Sequence, residues 1–329
     1  MTNKFASKTF TPTVQGSGGD HSNIDWEGLN KHVAESVQGA CGCEEGTAAG
    51  VIGIISGIVD VGKHQDPERV EPMDEGDAAT KEWKQRMVDN KKATVDEDGN
   101  FHFQAAPCQE VCFYVDFPNI TVDKGQFFGD SNPAPYRVLL GGVFDRKPAQ
   151  LTKVQGYKNS NNEWVFGDKN RATKLAKAAK VSGIKDGFAQ SRLLELIGKP
   201  VQFSLEVYIN SAGYLQEKVL QPSPLMAGIP VPEYDENLLF YVGMNEDNED
   251  AYLKVLTKPV KGYIEGALDY EGSKLQEQLE AAGQGGDDKP SEKPVDGVKE
   301  ESNPTGGGSA VGDYNEPPMD FDEDDIIPF

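Results

Sequence analysis

Hydrophobic and β-branched residues are concentrated in five segments whose composition is typical of strands. The longest segment covers residues 50–63, and the others cover residues 110–117, 136–144, 199–209 and 214–220. The first is well short of the roughly 18 apolar residues that a membrane-spanning helix needs, so it predicts a buried strand. The pattern therefore predicts a fold built mainly from strands.

Apolar residues spaced three and four positions apart predict helices between these strands. The predicted helices cover residues 24–37, 78–92, 171–181, 191–197 and 261–279. The helix at 78–92 is expected to be short and exposed. A Lys or Arg at every third position gives the helix at 171–181 a cationic face.

Shorter signals complete the predicted elements. Residues 96–99 read Asp-Glu-Asp-Gly and predict the turn of a hairpin, because Asp-Gly is a strong hairpin signal. Residues 238–242 and 251–256 are apolar enough to predict further strands that extend or close the sheet.

Composition divides the chain into a flexible N-terminus (1–20), a folded region (21–282), a flexible linker (283–319) and an acidic tip (320–329). Gly, Pro, Ser and charged residues dominate the linker, and such a composition disfavours packing. No apolar run follows a basic start, so secretion is not expected.

The net charge of −22 is distributed unevenly. Residues 287–329 hold 13 acids and 3 Lys, whereas residues 137–199 hold 13 Lys or Arg and 5 acids. A uniformly acidic surface would repel nucleic acid, but a basic segment of this kind suits phosphates. The chain is therefore electrostatically split.

Binding of single-stranded DNA needs exposed aromatic rings and nearby cations, and both occur between residues 153 and 171. Trp164 is the first candidate for base stacking. The other candidates of this segment are Tyr157, Phe166, Lys153, Lys158, Lys169 and Arg171. More distant candidates are Lys174, Lys177, Arg137, Arg146, Lys147, Tyr208 and Tyr214. The alternative interpretation is a solvated basic loop with Trp164 packed onto the fold.

The last ten residues combine five acids with a large apolar end. They are Asp320, Phe321, Asp322, Glu323, Asp324, Asp325, Ile326, Ile327, Pro328 and Phe329. This sequence resembles the acidic tip of bacterial single-stranded DNA-binding proteins, and bacteriophage proteins of that class also carry acidic tails that end in Phe. The resemblance implies that the tip docks onto replication or repair proteins such as a polymerase, a helicase or primase, or a nuclease.

The order of three strands, a short helix and two more strands fits an OB fold, a small Greek-key barrel. Residues 193–200, which read Leu-Leu-Glu-Leu-Ile-Gly-Lys-Pro, and the strand after them resemble the OB domains of bacteriophage single-stranded DNA-binding proteins. The resemblance implies a mainly β (α+β) fold, an elaborated OB-fold barrel of about five strands with an acidic tail.

The same resemblance implies a function. The expected protein coats single strands without sequence preference in DNA replication, recombination or repair, in the cytoplasm of an infected bacterial host. It is expected to use no cofactor and to catalyse no reaction, and a homodimer is compatible with this function. We also expect the acidic tip to compete with DNA for the basic groove, because it mimics the charge of DNA.

Two motifs point to other chemistry. Residues 57–63 have the spacing of a phosphate-binding loop, but His64 stands where Ser or Thr is needed, so the segment predicts a strand with glycines. Four cysteines, Cys41, Cys43, Cys108 and Cys112, match the ligand count of a zinc site, with His102 as a substitute ligand. Their spacing is unusual for zinc, and burial explains Cys112 equally well.

Two other classes of function remain open at this point. One is an enzyme or accessory factor of DNA metabolism that carries a recruited tip, although no acid-base pair or nucleophile is recognisable in the sequence. The other is an acidic interaction protein that does not bind DNA, with its basic segment neutralised by acids elsewhere in the fold.

Overall fold

The structure is a computed structural model, and it describes residues 25–129, 131, 133–140, 151–210 and 213–284. The strands are β1 (Ala48–His64), β2 (Arg69–Pro72), β3 (Ala93–Val95), β4 (Asn100–Phe103), β5 (Cys108–Val122), β6 (Ala134–Leu140), β7 (Thr152–Lys153), β8 (Tyr157–Lys158), β9 (Trp164–Phe166), β10 (Phe188–Ala189), β11 (Pro200–Ile209), β12 (Leu215–Ser223) and β13 (Phe240–Val242). The α-helices are α1 (Trp26–Cys41), α2 (Ala78–Asp89), α3 (Gly125–Phe128), α4 (Arg171–Ala178), α5 (Asp250–Leu253), α6 (Lys258–Glu265) and α7 (Lys274–Gln284). Short 3₁₀ helices cover Gln190–Leu196 and Glu236–Leu238. The protein is thus α+β with mostly antiparallel sheets.

The main sheet has the strand order β12-β11-β1-β5-β6. Its long first strand, β1, pairs with β11 through its first half and with β5 through its second half. Strand β13 runs parallel to β1, and β7 extends the sheet beside β5. Since β1, β5 and β6 lie side by side and β11 returns to the other side of β1, the order is that of a Greek key.

The two edges of this sheet approach each other. The Tyr136 hydroxyl on β6 donates a hydrogen bond of 3.0 Å to Glu217 Oε1 on β12. Within the described residues, however, no strand pairing joins β6 to β12. Over the described residues the sheet is therefore curled but not closed, and the predicted OB-fold barrel of about five strands is not confirmed there.

Each face of the main sheet carries its own hydrophobic core. The first core lies between one face and α1, α4 and the 3₁₀ helix Gln190–Leu196. The second core lies on the opposite face of β1 and β5, where residues of the neighbouring strand β13 pack with α5, α6 and α7. This two-sided burial explains why the middle of β1 is apolar at almost every position.

The glycines of β1 have structural causes. A Cβ atom at Gly57 would lie 2.3 Å from the ring of Phe240, so the neighbouring strand can approach only a glycine. Gly62 has a positive φ of 88° at a bulge in the pairing with β5. Residues 57–63 are thus part of a strand, as predicted, and not a phosphate-binding loop.

Residues 66–105 form a separate unit between β1 and β5, which we call the acidic unit. Its sheet has the order β2-β4-β3, and α2 covers one face with Trp83 and Met87. The hairpin predicted at residues 96–99 is confirmed as the turn between β3 and β4. The predicted helix at 78–92 is confirmed as α2, but it is not simply an exposed helix because it encloses a third core.

The other predicted helices are mostly confirmed. The helices predicted at 24–37 and 171–181 are α1 and α4, and the side chain of Asp25 caps α1 by accepting the Gly28 N–H at 2.9 Å. The segment predicted at 191–197 is a 3₁₀ helix, and that at 261–279 corresponds to parts of α6 and α7. None of the described helices combines the length and apolar character needed to cross a membrane.

Two predicted strands differ from the structure. The strand predicted at 251–256 is wrong, because this segment begins with α5 and a helical turn carries Tyr252, Leu253 and Leu256 into the second core. The strand predicted at 136–144 is confirmed as β6 only to Leu140, since residues 141–150 lie outside the described residues.

Candidate nucleic-acid interface

The hairpin of β8 and β9 brings an exposed tryptophan and an exposed lysine together. Lys158 pairs directly with Trp164 across the two strands, and Tyr157 pairs with Val165. Directly opposite residues share a face, so Lys158 and Trp164 lie on one face of the hairpin and Tyr157 and Val165 lie on the other. The Trp164 side chain is 42% exposed, and Lys158 Nζ lies 5.7 Å from its ring centroid.

A packed layer beneath the hairpin holds it in place. Strand β9 pairs with β10, and the rings of Phe166 and Phe188 stack with centroids 6.2 Å apart. Both rings are fully buried in the first core. Phe166 therefore offers no accessible face to a base, whereas Tyr157 is half-buried beside the exposed pair.

The hairpin belongs to a basic unit, which we define as residues 151–199. This unit holds ten Lys or Arg and four Asp or Glu. Ion pairs involve some of its cations: Lys153 with Asp66 of the acidic unit, and Lys177 Nζ with Asp168 at 2.8 Å. Lys158 and Lys174 are exposed. The unit thus retains exposed positive charge, and Lys158 places part of it beside Trp164.

Helix α4 presents part of the predicted cationic face. Lys174 and Lys177 are exposed on it, while Leu175 and Ala176 are buried in the first core. Arg171 is half-buried, and burial lowers the pKa of its guanidinium. The outer positions of α4 are therefore better suited to phosphate contact than Arg171.

Arg137 belongs to a buried network. Its Nε and Nη2 atoms donate to the two carboxylate oxygens of Asp116 at 2.6 and 2.7 Å. The hydroxyls of Ser56 and Tyr234 donate to the same carboxylate at 3.0 and 2.7 Å. Asp116 is only 1% exposed, so four hydrogen bonds satisfy a buried charge. Arg137 is thus engaged in the fold and is a poor candidate for binding phosphate.

The outward face of β5 and β6 is covered by the protein itself. Cys112 and Tyr114 on β5 lie in the second core, packed with Phe240 of β13 and residues of the C-terminal helices. Tyr234, in the segment between β12 and β13, is bound to Asp116 on the same face. Burial and the charge of Asp116 raise the pKa of Tyr234, so its hydroxyl stays protonated and keeps donating.

Tyr208 and Tyr214 lie away from the first core. Strand β11 alternates buried residues such as Leu205 and Val207 with half-buried ones such as Glu206 and Tyr208. The Tyr208 hydroxyl donates to Gln216 Oε1 at 3.4 Å, and Tyr214 is 45% exposed at the end of the β11–β12 hairpin. The sheet register therefore assigns both rings to the outer side, which alternation in the sequence alone left undecided.

The four cysteines do not form one site. Cys43 lies in the first core and Cys112 in the second, on opposite faces of the sheet. In the part of the chain that the structure describes, no three or more His, Cys, Asp or Glu side chains are grouped as metal ligands. Burial raises the pKa of Cys41 and of Cys108 to about 11, which disfavours the thiolate form that binds zinc. His102 lies in the acidic unit, between Glu68 and Asp96.

Some predicted site residues lie outside the described residues. These are Arg146, Lys147, Asp320, Phe321, Asp322, Glu323, Asp324, Asp325, Ile326, Ile327, Pro328 and Phe329. Comparisons of the chain with protein-family models, curated proteins and solved structures gave no match. The functional argument therefore depends on the residues themselves.

Proposed function

We propose that this protein binds single-stranded DNA without sequence preference and without catalysing a reaction. The observation that carries the proposal is the exposed Trp164 ring beside Lys158 on the outside of the basic unit. A base can stack on an indole ring, and an adjacent ammonium can contact the phosphate that follows. The site thus combines the two interactions that single-strand binding requires.

Charge supports the same proposal. The basic unit has an excess of six positive charges in a chain whose net charge is −22. Electrostatic attraction to a phosphate backbone is strongest where cations are clustered, even in an acidic protein. We infer that the DNA path follows the exposed side of the basic unit, along Lys158, Trp164 and Lys174.

The fold gives partial support to an OB-like architecture. The Greek-key order of the main sheet and the approach of its two edges at Tyr136 and Glu217 are features expected of a partly open barrel. OB folds bind single strands on the face of their second and third strands, which correspond to β5 and β6 in this order. That face is covered here, which favours the Trp164 hairpin as the binding site.

The acidic tip completes the proposal. We infer a bacteriophage-type protein that coats single strands during replication, recombination or repair and recruits partner proteins through residues 320–329. Phe329 would enter an apolar pocket, and its carboxylate would meet a basic residue of the partner. This part of the proposal depends on the resemblance of the tip to those of other single-stranded DNA-binding proteins.

A titration tests the proposed function. Poly(dT) and duplex DNA are added separately to the full chain at several salt concentrations, and tryptophan fluorescence is followed. We expect quenching and tighter binding with the single strand, and weaker binding as salt rises. Absence of binding to poly(dT) at low salt would reject the proposal.

The ion pairs of the basic unit favour a second candidate function. Lys153 is paired with Asp66 and Lys177 with Asp168, as expected if acids neutralise the basic segment in a protein that only binds other proteins. The same titration separates the two candidates. Capture of proteins by the tip without any binding of poly(dT) would support the interaction protein.

A further inference from the structure

The hairpin that carries Trp164 has a very short ladder. Strands β8 and β9 share only two directly opposite pairs, Tyr157 with Val165 and Lys158 with Trp164. Few backbone pairs fix the register of so short a ladder, and a slip of one residue changes which side chains share a face. Burial of Val165 favours the observed register, and contacts in the connecting loop can add to that preference.

The loop sequence offers a competing register. Residues 159–162 read Asn-Ser-Asn-Asn, and a two-residue turn at Asn161 and Asn162 is compatible with hairpin turns that require positive φ. Such a turn would place Asn159 opposite Trp164 and Lys158 opposite Val165. Because Val165 is buried, Lys158 would then share a buried face and the Lys158–Trp164 pair would be lost.

The structure has a three-residue loop instead, and Asn159 holds it closed. Its Oδ1 atom accepts the backbone N–H groups of Asn161 at 2.9 Å and Glu163 at 3.0 Å. Its Nδ2 atom donates to Glu163 Oε2 at 3.3 Å. Its backbone N–H donates to the Glu163 carbonyl at 3.0 Å, and its carbonyl accepts the Asn162 N–H at 2.9 Å.

The loop ends in a residue suited to this geometry. Asn162 has a φ of 60°, and asparagine adopts the left-handed region more readily than most residues. A left-handed residue at the end of a three-residue loop is a common hairpin connection. The Asn159 side chain is the part of this connection that a substitution can remove while leaving the rest of the loop sequence intact.

We propose that Asn159 is a positioning residue for single-stranded DNA binding. By bonding to two backbone N–H groups across the loop, it favours the register in which Lys158 and Trp164 lie side by side and exposed. It acts through these two residues and does not itself need to touch DNA. The inference rests on the proposed function and adds the residue that sets the geometry of its site.

Four variants of the full chain test this inference: Asn159→Ala, Asn159→Asp, Ser160→Ala and Ser160→Asp. Asp at 159 retains the oxygen that accepts the two N–H groups, and Asp at 160 adds the same charge to the exposed neighbouring position. Loss of the local bonds in Asn159→Ala should weaken poly(dT) binding about fivefold relative to Ser160→Ala. Asn159→Asp should bind within about twofold of Ser160→Asp, because charge is matched and the acceptor is present.

Hydrogen exchange provides a readout that is independent of DNA. The amides of Asn161 and Glu163 should exchange faster in Asn159→Ala than in Ser160→Ala, while the thermal unfolding midpoints stay equal. Equal poly(dT) affinity of Asn159→Ala and Ser160→Ala would overturn the inference. The inference would also be overturned if Asn159→Asp lost as much poly(dT) affinity relative to Ser160→Asp as Asn159→Ala loses relative to Ser160→Ala.

The variant Trp164→Ala separates failure of this inference from failure of the proposed function. If Trp164→Ala weakens binding and Asn159→Ala does not, DNA binds at the hairpin but Asn159 does not set its geometry. If Trp164→Ala binds poly(dT) as tightly as the unmodified chain, the proposed site is wrong, and the role of Asn159 is rejected with it.

Discussion

The acidic unit and the basic unit are built from similar parts but use their tryptophans differently. The acidic unit connects β1 to β5 and the basic unit precedes β11 in the chain, and each contains a three-stranded sheet, a helix and a tryptophan close to a cation. The acidic unit has eleven acids and six Lys or Arg, whereas the basic unit has four acids and ten Lys or Arg. Trp83 is 8% exposed and Trp164 is 42% exposed.

The two tryptophans differ in exposure because the two units bury their apolar side chains in different cores. The acidic unit has its own small core, and Trp83 fills it together with Phe101, Phe103 and Met87. The basic unit instead sends Phe166, Leu175 and Phe188 into the first core beneath the main sheet. The main core thus supplies the burial that stabilises the basic unit, and Trp164 is left on the surface. An aromatic residue that the core does not need is the better candidate for binding.

Replacement of Trp83 by Ala should have the largest effect, and it should be an effect on stability. Loss of a buried Trp side chain typically costs about 3–5 kcal/mol in the free energy of unfolding. We expect urea unfolding of the acidic unit at lower denaturant concentration, with poly(dT) affinity unchanged within about twofold. A Trp83→Ala variant with normal stability but weakened DNA binding would contradict this prediction, because it would make Trp83 a DNA-binding residue and not a core residue.

Replacement of Trp164 by Ala should show the opposite pattern. A base stacked on an aromatic ring contributes about 1–3 kcal/mol, so poly(dT) affinity should fall by roughly 5- to 150-fold. The urea midpoint should barely change, because substitutions of exposed side chains usually alter stability by less than about 0.5 kcal/mol. Trp164→Phe is the matched control, since it keeps an aromatic face and should retain most of the affinity.

The sequence predicts the helices and strands of the two units better than it predicts which of their side chains are buried. The periodicity around Trp83 and Met87 predicts α2, and the β-branched residues of 50–63 predict β1, because local patterns determine such elements. It did not predict that α2 encloses a core, since this burial depends on β2, β3 and β4 together. Exposure of Trp164 and burial of Phe166, two residues apart, likewise depend on the register of β8, β9 and β10.

The salt dependence of DNA binding should distinguish Lys153 from Lys158, which the sequence predicts equally as DNA-binding residues. Lys153 is ion-paired with Asp66 of the acidic unit, whereas Lys158 lies beside Trp164. Each phosphate contact adds about 0.7 to the slope of log affinity against log salt for single strands. Lys158→Met should lower the magnitude of this slope by about that amount, and Lys153→Met should leave it nearly unchanged. Equal changes of the slope in both variants would mean that the ion pair with Asp66 does not prevent Lys153 from contacting DNA.

The smallest expected effect is the response of the acidic unit to pH through His102. Hydrogen bonds to Asp96 at 3.1 Å and Glu68 at 3.2 Å raise the pKa of His102 above its usual value. Bonds from Asn100 and from His102 lower the pKa of Asp96 to about 2, so that carboxylate stays charged. A raised histidine pKa adds stability that is fully present below the pKa of the unfolded chain and is lost as pH rises through the folded value.

The acidic unit should therefore be slightly more stable at about pH 5.5 than at about pH 8.5, relative to a variant without this imidazole. Urea unfolding of the unmodified chain and of His102→Gln at both pH values isolates the contribution of His102, because Gln keeps the hydrogen-bonding capacity but not the charge. The basic unit has no histidine, so poly(dT) affinity should change equally with pH in both chains. A pH-dependent difference in DNA affinity between the two chains would instead indicate that the two units are coupled, and the Lys153–Asp66 ion pair is the contact that joins them. The stability of the acidic unit and DNA binding by the basic unit would then not be independent.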